Sequence, residues 1–431
     1  MKRKLIEALK DVLIVLLVLV NLMLAVMCLP KKTLTETKWL ASALRPFAGL
    51  FGLNEAALTY TAPPAEAAIT GAAQPIAITL STEAGRQSAQ YDFSALDTLY
   101  SQYGSLLAQA LESAAAPEAC TRQALLAALA GPGAAFCFPG EVSPAVVGAW
   151  LSAGAPEAAD AQWYVLALED GAVTLYLGGA QTKKAATGLD ADVLAAQLAG
   201  SVPDGSFFAF EAADEAYASL DALSLVTAAD TPVYPGLSAN PCDARFISAL
   251  ATQIGINPYG DARYVDNDGT TSFTETGLTL RVSAQGRITL QLSQPDERFQ
   301  SASESASERI EAARRLVTSM TGGSYGDARV YLQGYEQSGD KAVCTFGYYL
   351  AGVEVAPQQG GIEVRFSGTQ ITFASILCRT YSLQTQPAAL LPAAQAAAAM
   401  PDGSALRLLY AEDAAGELQI GWRTEQKEAA S

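Results

Sequence analysis

The sequence contains no histidine among its 431 residues. This absence excludes Ser-His and Cys-His catalysis, histidine metal sites and a phosphorelay histidine within the chain. Basic residues are also scarce, because 27 lysines and arginines face 44 aspartates and glutamates, for a net charge of −17. A protein that binds nucleic acid needs a basic face to replace counterions, so this charge excludes nucleic acid as a partner.

Cysteine chemistry is limited as well, because none of the six cysteines forms a CxxC pair. Zinc and thioredoxin-like sites therefore lack their usual spacing, and we expect neither a metal nor a cofactor. Cys28 lies in the hydrophobic N-terminal segment, and the other five form an odd, scattered set. Such a set favours free buried thiols over a disulfide framework. A bond between Cys344 and Cys378, on predicted neighbouring strands, is the alternative.

An uncharged hydrophobic run extends from Val12 to Leu29. At ~1.5 Å per residue the run would span about 27 Å, enough for the core of a bilayer. Basic residues before it predict a cytoplasmic tail at 1–11, with the rest of the chain outside the membrane. A cleaved signal peptide and a lipoprotein modified at Cys28 are alternatives, but both need a small residue where Met27 stands. We therefore expect a single-pass protein of the cell membrane.

Asn21 is the strongly polar side chain inside this predicted span. An amide is unfavourable when it faces lipid, and it often forms a hydrogen bond with a neighbouring helix. Asn21 is therefore our candidate for a partner-binding residue. The alternative is that the span simply tolerates one polar side chain.

The external part is patterned as an α+β protein, in which helices pack on antiparallel sheets. A stretch rich in proline, alanine and glycine predicts a stalk at 30–73, followed by an N-terminal domain at 74–230. A helix followed by antiparallel strands then recurs. This repetition predicts a middle module at 231–300 and a C-terminal domain at 301–431.

Local signals predict several helix starts and turns inside these domains. Ser143-Pro144 predicts a helix start, and a capping box that begins at Ser305 predicts another. Asp170-Gly171 and Ala351-Gly352 each predict a two-residue hairpin turn with a glycine at positive φ.

The stretch YVDNDGTTSFTETG, residues 264–277, matches a calcium-binding loop in part. With Gly269 at the sixth position of an EF-hand loop, two aspartates and Glu275 fall on ligand positions, but the first position falls on Tyr264. The following residues alternate with period two, as in strands, whereas an EF-hand continues as a helix. We therefore interpret the stretch as the turn of a hairpin.

No catalytic motif is complete, and we interpret the chain as a non-enzyme. Ser338 and Lys341 fit an SxxK pattern but have no SDN or KTG partner, and a turn between strands explains them better. The QTKKAATG stretch lacks the residue order of a phosphate-binding loop. Four tyrosines on the late strands favour sheet packing, with a ligand groove as the alternative; they are Tyr331, Tyr335, Tyr348 and Tyr349.

Several weak motifs occur together in a recognisable order. They are FCFPGEVSPAVVGAWL, YVDNDGTTSFTETGLTL, ELQIGWRTE with Trp422, and VCTFGYYLAGVEV with a Phe–Tyr–Gly–Val–Val spacing at Phe346, Tyr349, Gly352, Val353 and Val355. With one N-terminal span and a long external part, this order resembles the YycH family and its relative YycI. Members of that family are membrane-anchored regulators of the WalK sensor histidine kinase in Gram-positive bacteria.

The resemblance implies a fold and a function, which are expectations at this point. The fold would consist of several α+β modules, and the last of them would be similar to the YycI and PepSY-type arrangement of helix and sheet. The function would be regulation of a sensor histidine kinase in cell-wall homeostasis, by contact through the span and the external domain. A YycI-like protein would act as co-regulator.

A second hypothesis is a tethered extracytoplasmic module that binds a ligand or the cell wall. A concave, aromatic-lined pocket with converging polar groups would favour ligand binding. A filled core with an exposed apolar strip would favour a protein partner.

Overall fold

The structure is a computed structural model that describes residues 75–426, except for 214, 218–219, 228–232, 324, 357–359, 400–403 and 414. The described residues form two compact units. Cys242–Ala284 is the smaller unit, and the described parts of Ala67–Pro241 and Gln285–Ser431 form the larger one. The predicted tail, span and stalk lie outside the described residues. Within the described part of the chain, no helix is long and apolar enough to cross a bilayer.

All described helices except the last begin after a residue whose side chain accepts a hydrogen bond from the first turn. The helices are α1 (Phe93–Ser113), α2 (Arg122–Ala130), α3 (Pro144–Trp150), α4 (Ala191–Leu198), α5 (Ala244–Gln253), α6 (Ala306–Thr321) and α7 (Ala393–Ala398). Before α1, α2, α3 and α6, the side chains of Asp92, Thr121, Ser143 and Ser305 accept hydrogen bonds from backbone N–H groups of the first turn. The predicted starts at Ser143-Pro144 and at Ser305 are therefore confirmed.

The first sheet belongs to the larger unit. Its strands are β1 (Ala77–Thr82), β2 (Gly85–Gln90), β3 (Glu118–Ala119), β4 (Gly133–Val142), β5 (Ala161–Glu169), β6 (Ala172–Gly178) and β7 (Lys183–Ala186). They are antiparallel in the order β2-β1-β4-β5-β6-β7-β3. Ala135 and Trp163 form a core with α2 on one face, and Phe136 and Tyr164 are fully buried on the opposite face. Both faces of this sheet are therefore covered.

Three short strands follow the first sheet along the chain. They are β8 (Phe207–Phe208), β9 (Leu225–Val226) and β10 (Gly236–Ala239). Strands β8 and β9 pair only with each other in the described sheets, beside the first sheet's core, where Phe208 packs edge-on against Trp163.

The smaller unit contains α5 and a three-stranded antiparallel arrangement. Its strands are β11 (Arg263–Val265), β12 (Thr271–Glu275) and β13 (Leu278–Val282). Phe273, Leu278 and Leu280 are buried on these strands, and Leu250 is buried on α5. The alternation of buried and exposed residues along β13 is the period-two pattern seen in the sequence.

The second sheet also belongs to the larger unit and is built mainly by the C-terminal stretch. Its later strands are β14 (Arg287–Leu292), β15 (Ala328–Ser338), β16 (Lys341–Leu350), β17 (Val353–Ala356), β18 (Ile362–Ser367), β19 (Gln370–Leu377), β20 (Thr380–Leu383), β21 (Ser404–Glu412) and β22 (Glu417–Gln426). Within this unit the order is β14-β19-β18-β16-β17-β21-β22-β10-β20, and β15 pairs with the other side of β16. Pairing is antiparallel except between β17 and β21. The α+β class with antiparallel sheets is confirmed.

Close contacts join the two sheets inside the larger unit. Gly140 of β4 lies so close to the backbone of Gln333 on β15 that a Cβ would not fit. Arg329 of β15 donates hydrogen bonds to both carboxylate oxygens of Asp97 on α1, at 2.8 and 2.7 Å. Its guanidinium also lies 4.1 Å from the centre of the Phe93 ring. A bidentate ion pair combined with a cation–π contact holds the two sheets in a defined relative position.

A buried arginine anchors α6 to the second sheet. Arg309 is 0% exposed, and its guanidinium donates to the carbonyl oxygens of Gly368 at 2.8 Å and Asp340 at 3.1 Å. These carbonyls belong to the β18–β19 and β15–β16 turns, where Arg309 also contacts the Tyr335 hydroxyl at 3.3 Å. A buried charge needs such acceptors, so the helix position and the two turns depend on each other.

No disulfide bond joins the cysteines in the described part of the chain. Cys137, Cys344 and Cys378 are buried, whereas Cys120 and Cys242 are partly exposed. The alternative bond between Cys344 and Cys378 is not formed. Cys28 lies outside the described residues.

Candidate functional site

A cavity of about 740 Å³ lies between the first and second sheets of the larger unit. We call it the inter-sheet cavity. Its walls come from the ends of β1, β2, β4 and β5, the segment at 220–227 with β9, the β16–β17 hairpin, the segment at 388–393, and strands β21 and β22. Cavities of roughly 300–1,000 Å³ are typical of small-molecule sites, so this volume suits a ligand.

Tyr91 lies at this cavity in an unusual backbone conformation. Its φ is +62°, in the left-handed region that residues with a Cβ rarely adopt. A Cβ at Gly352 in the β16–β17 turn would stand 3.2 Å from the Tyr91 nitrogen. The turn of the second sheet is thus packed against Tyr91, and both residues line the cavity. Strained residues held by such packing are frequent at ligand sites.

A polar group lies on the wall formed by the second sheet. Arg407 of β21 lies 3.5 Å from a carboxylate oxygen of Glu354 on β17. The other Glu354 oxygen accepts a hydrogen bond at 2.7 Å from the Gln333 amide, which also lies 3.4 Å from the Tyr349 hydroxyl. Strands β17 and β21 are parallel neighbours, and this pairing brings Glu354 and Arg407 together.

The hydroxyls of Tyr91 and Tyr349 and the thiol of Cys137, which line the cavity from both sheets, remain protonated at neutral pH. Burial raises the pKa of Tyr91 to about 12, against a smaller lowering by Arg407. Burial also raises the pKa of Tyr349. The Cys137 thiol has its pKa raised to about 12 by burial, again opposed by Arg407. A thiol is nucleophilic only as thiolate, so Cys137 is poorly suited to attack a substrate.

Aromatic surfaces complete the lining. Trp163 of β5 and Trp422 of β22 line the cavity from opposite sheets. The Trp422 indole donates a hydrogen bond at 2.8 Å to the Leu391 carbonyl, and the Ala388 nitrogen donates at 2.7 Å to the Val233 carbonyl. These bonds hold the 388–393 segment as a wall of the cavity.

Three further polar side chains lie at the cavity, and they differ in their hydrogen bonds and ion pairs. The side-chain oxygen of Gln90 is buried and has no hydrogen-bond partner in the part of the chain that the structure describes. Asp221 is bound by Arg122 at 3.0 Å. Glu141 is exposed and accepts a hydrogen bond at 2.5 Å from the Ala180 nitrogen.

The sequence motifs include Tyr349, Gly352 and Trp422 of this site, but no motif predicts the cavity itself. Of the four tyrosines considered, Tyr331, Tyr348 and Tyr349 are buried in sheet packing, which is the favoured interpretation, and Tyr349 also lines the cavity. Asn21, the predicted partner-binding residue, lies outside the described residues. The residues that were missed are Gln90, Tyr91, Trp163 and Arg407, which carry no motif, and Glu354, which lies in the VCTFGYYLAGVEV motif but was not singled out; tertiary folding brings them together.

The partial calcium match is confirmed as a turn between strands. Residues 266–270 connect β11 to β12, with Val265 paired to Thr271. Glu275 lies four residues along β12 from Thr271, which at ~3.3 Å per residue is about 13 Å from the turn. Among the described residues, no group of three or more acidic, cysteine or histidine side chains is placed to hold a metal.

The other two motifs also have structural explanations. Ser338 pairs with Lys341 across a two-residue turn in which Gly339 has a φ of +63°, so the turn interpretation of SxxK is confirmed. The QTKKAATG stretch contributes β7, an interior strand of the first sheet.

Comparison with protein-family models, with curated proteins and with solved structures gives no match for this chain.

Proposed function

We propose that the external part of this chain is a non-catalytic binding module, with the inter-sheet cavity as its ligand site. The observation that carries this proposal is the cavity itself: it has the volume of a small-molecule site and combines aromatic walls with a polar group at Glu354 and Arg407. The absence of histidine from the sequence and the raised pKa of Cys137 favour binding over catalysis.

The proposal also covers the membrane anchor and the fold type of the C-terminal modules. We infer that Val12–Leu29 is a single transmembrane helix with a cytoplasmic N-terminus, which tethers the module outside the cell membrane. The C-terminal modules would be of the YycI and PepSY-like type. What supports this is the order of motifs in the sequence.

A cavity-filling variant tests the binding proposal. Ala389 is exposed and lines the cavity, so Ala389→Trp adds a bulky side chain at the cavity wall with little strain on the core. Ala116→Trp is the matched control, because Ala116 is exposed and does not line the cavity. Thermal unfolding of each full-length chain is measured with and without small-molecule fractions from the parent cells. Ligand at about 100 times its dissociation constant stabilises a fold by roughly 2.7 kcal/mol, which raises the midpoint by a few degrees.

We expect this rise for the wild type and for Ala116→Trp, and its loss in Ala389→Trp. An equal rise in all three proteins would show that ligands bind outside the inter-sheet cavity.

A second candidate function is regulation of a sensor histidine kinase by protein contact, with a YycI-like co-regulator as a further partner. The observation that favours it is the Phe–Tyr–Gly–Val–Val motif, which forms the β16–β17 hairpin at the cavity. Ligand binding and kinase regulation are compatible, since ligand in the cavity would stabilise one arrangement of the hairpin and its neighbours.

Anchor replacement tests this second candidate. Hydrogen bonds between membrane helices average about 0.6 kcal/mol and reach about 1.7, so Asn21→Leu should weaken association with a kinase span by roughly tenfold at most. Replacing Val12–Leu29 by an unrelated poly-leucine helix should weaken it further, because packing is lost as well. Kinase output is measured in cells at equal membrane levels of each variant. If kinase output with the unrelated anchor equals that of the wild type, the native span acts only as a tether.

A further inference from the structure

We propose that the inter-sheet cavity accepts a ligand with a protonated amine on an apolar or aromatic body. This inference rests on the proposed binding function and specifies the ligand's chemistry. Both free organic amines and amine-bearing peptides have this chemistry, and the experiment below distinguishes them.

The charges at the cavity favour a cationic ligand. Carboxylates at the wall belong to Glu141, Asp221 and Glu354, whereas Arg407 is the basic side chain among the described lining residues. Asp221 is neutralised by Arg122, and Glu354 lies beside Arg407. Glu141 has no basic side chain within 4 Å in the described part of the chain. After these pairs are formed, one carboxylate remains uncompensated at the cavity.

A second acidic group strengthens this negative region. Asp160 lies next to Glu141, and both face the smaller cavity of about 210 Å³ beside α3 and α6. Burial raises the pKa of Asp160, and the charge of Glu141 raises it further. The field that disfavours a second negative charge on Asp160 favours a positive charge on a ligand near Glu141.

Hydrogen-bond acceptors point in the same direction. The Gln90 side chain lines the cavity, and its buried oxygen has no hydrogen-bond partner among the described residues, so rotation of this side chain toward a donor on a ligand would satisfy it. An ammonium group offers three donors and no acceptor. A carboxylate ligand, by contrast, would bring a further negative charge to a cavity whose wall already carries Glu141, Asp221 and Glu354.

The aromatic lining fits the body of such a ligand. Tyr91, Trp163, Tyr349 and Trp422 all line the cavity. Aromatic faces attract cations through the negative charge of the ring face, and they also bury the apolar carbon of a ligand. A neutral aromatic compound gains only the second of these contributions, so the amine should bind more tightly than its neutral analogue.

Three probes of similar shape test the proposal: phenethylamine, phenethyl alcohol and 3-phenylpropionate. Binding to the full-length chain is followed by tryptophan fluorescence, for which Trp163 and Trp422 are reporters at the site. We expect phenethylamine to bind about tenfold more tightly than the alcohol, by the rule of 1.4 kcal/mol per decade, and 3-phenylpropionate to bind most weakly. Acetyl-Lys-Leu-amide, compared with its lysine-acetylated form, reports whether a peptide-borne amine is also accepted.

Glu141→Gln tests whether the carboxylate charge, rather than the shape of the cavity, determines the affinity for the amine. Glutamine retains an oxygen for the Ala180 nitrogen, so the fold is preserved while the charge is removed. The affinity for phenethylamine should fall about fivefold and the affinity for phenethyl alcohol should stay unchanged, since only the amine interacts with the charge. Glu112→Gln removes one exposed charge away from the cavity and should leave both affinities unchanged.

The outcomes distinguish this inference from the proposed function. If phenethyl alcohol or 3-phenylpropionate binds as tightly as the amine and Ala389→Trp abolishes that binding, the cavity is a ligand site but not an amine site. If the amine fails to bind at millimolar concentration, the amine inference is wrong, while the cell-fraction experiment still decides the binding function. If Ala389→Trp binds all probes like the wild type, the inter-sheet cavity is not the site and both proposals fail.

Discussion

Two hairpin turns share one backbone conformation but lie in different surroundings. Asp170-Gly171 joins β5 to β6 with φ values of +49° and +77°, and Ala351-Gly352 joins β16 to β17 with +51° and +81°. Both are two-residue turns of the type that suits the twist of paired strands. A Cβ on Gly171 would meet nothing within 4 Å, whereas one on Gly352 would meet the Tyr91 backbone at 3.2 Å.

The comparison separates two reasons for a glycine in a turn: the positive φ of its backbone and the close packing of neighbouring residues. Gly171 is required only for its backbone conformation, because the turn is exposed. Gly352 is required for its conformation and also for the close approach of the turn to Tyr91 at the cavity. The first residues differ as well: aspartate tolerates positive φ through local hydrogen bonds, and alanine has no such help.

The largest effect is expected for Gly352→Val. A β-branched residue is strained at positive φ, and its side chain would also collide with Tyr91, so we expect a loss of roughly 3 kcal/mol in the free energy of unfolding. Urea denaturation measures this loss. A midpoint equal to that of the wild type would mean that the hairpin is placed wrongly.

The same substitution in the exposed turn should have a smaller effect. Gly171→Val meets no neighbour, so we expect only the conformational strain, roughly 1–2 kcal/mol, in the same urea experiment. The difference between the two valine variants measures the packing of Gly352 against Tyr91. Equal losses in both variants would remove the distinction between the turns.

Exchanging the first residues of the turns should produce opposite, smaller changes. Ala351→Asn introduces a residue that tolerates positive φ and should raise the free energy of unfolding by about 0.5–1 kcal/mol. Asp170→Ala should lower it by a similar amount. A change of the same sign in both variants would show that side-chain contacts, rather than φ preference, decide the effect.

The smallest effect is expected at the 266–270 turn of the smaller unit. Its Gly269 also has a positive φ, of +82°, and its aspartates match a calcium loop only in part. Thermal unfolding of the full-length chain should have the same midpoint with excess calcium and with a chelator, because Glu275 is too far along β12 to complete a site. A calcium-dependent rise of several degrees would contradict the turn interpretation.

Local chemistry made much of the secondary structure predictable. The starts of α3 and α6 and the turns at Asp170-Gly171 and Ala351-Gly352 depend on interactions within about four residues, which the sequence displays directly. The buried stripe of α6 could be predicted for the same reason, because helical periodicity places Ile310, Ala313 and Val317 on one face.

The pairing of strands from distant segments was harder to predict from the sequence. Strands β10 and β14, both from the stretch predicted as a middle module, pair with strands of the C-terminal stretch: β10 with β20 and β22, and β14 with β19. Strand β7 carries two lysines and little apolar pattern, and it forms because β6 and β3 lie on either side of it. Such pairings depend on non-local hydrogen bonds, so a pattern within one strand does not specify its neighbours.

The sequence alone determined that the chain lacks histidine chemistry, carries a strong negative charge and contains α+β building blocks, since these properties follow from composition and local pattern. Only the tertiary structure determined that the inter-sheet cavity forms and which residues line it. The β16–β17 turn packs against Tyr91, whose φ is positive, and the parallel pairing of β17 with β21 brings Glu354 to Arg407. A site assembled from such distant segments has no local signature, because its residues become neighbours only when both sheets have formed and docked.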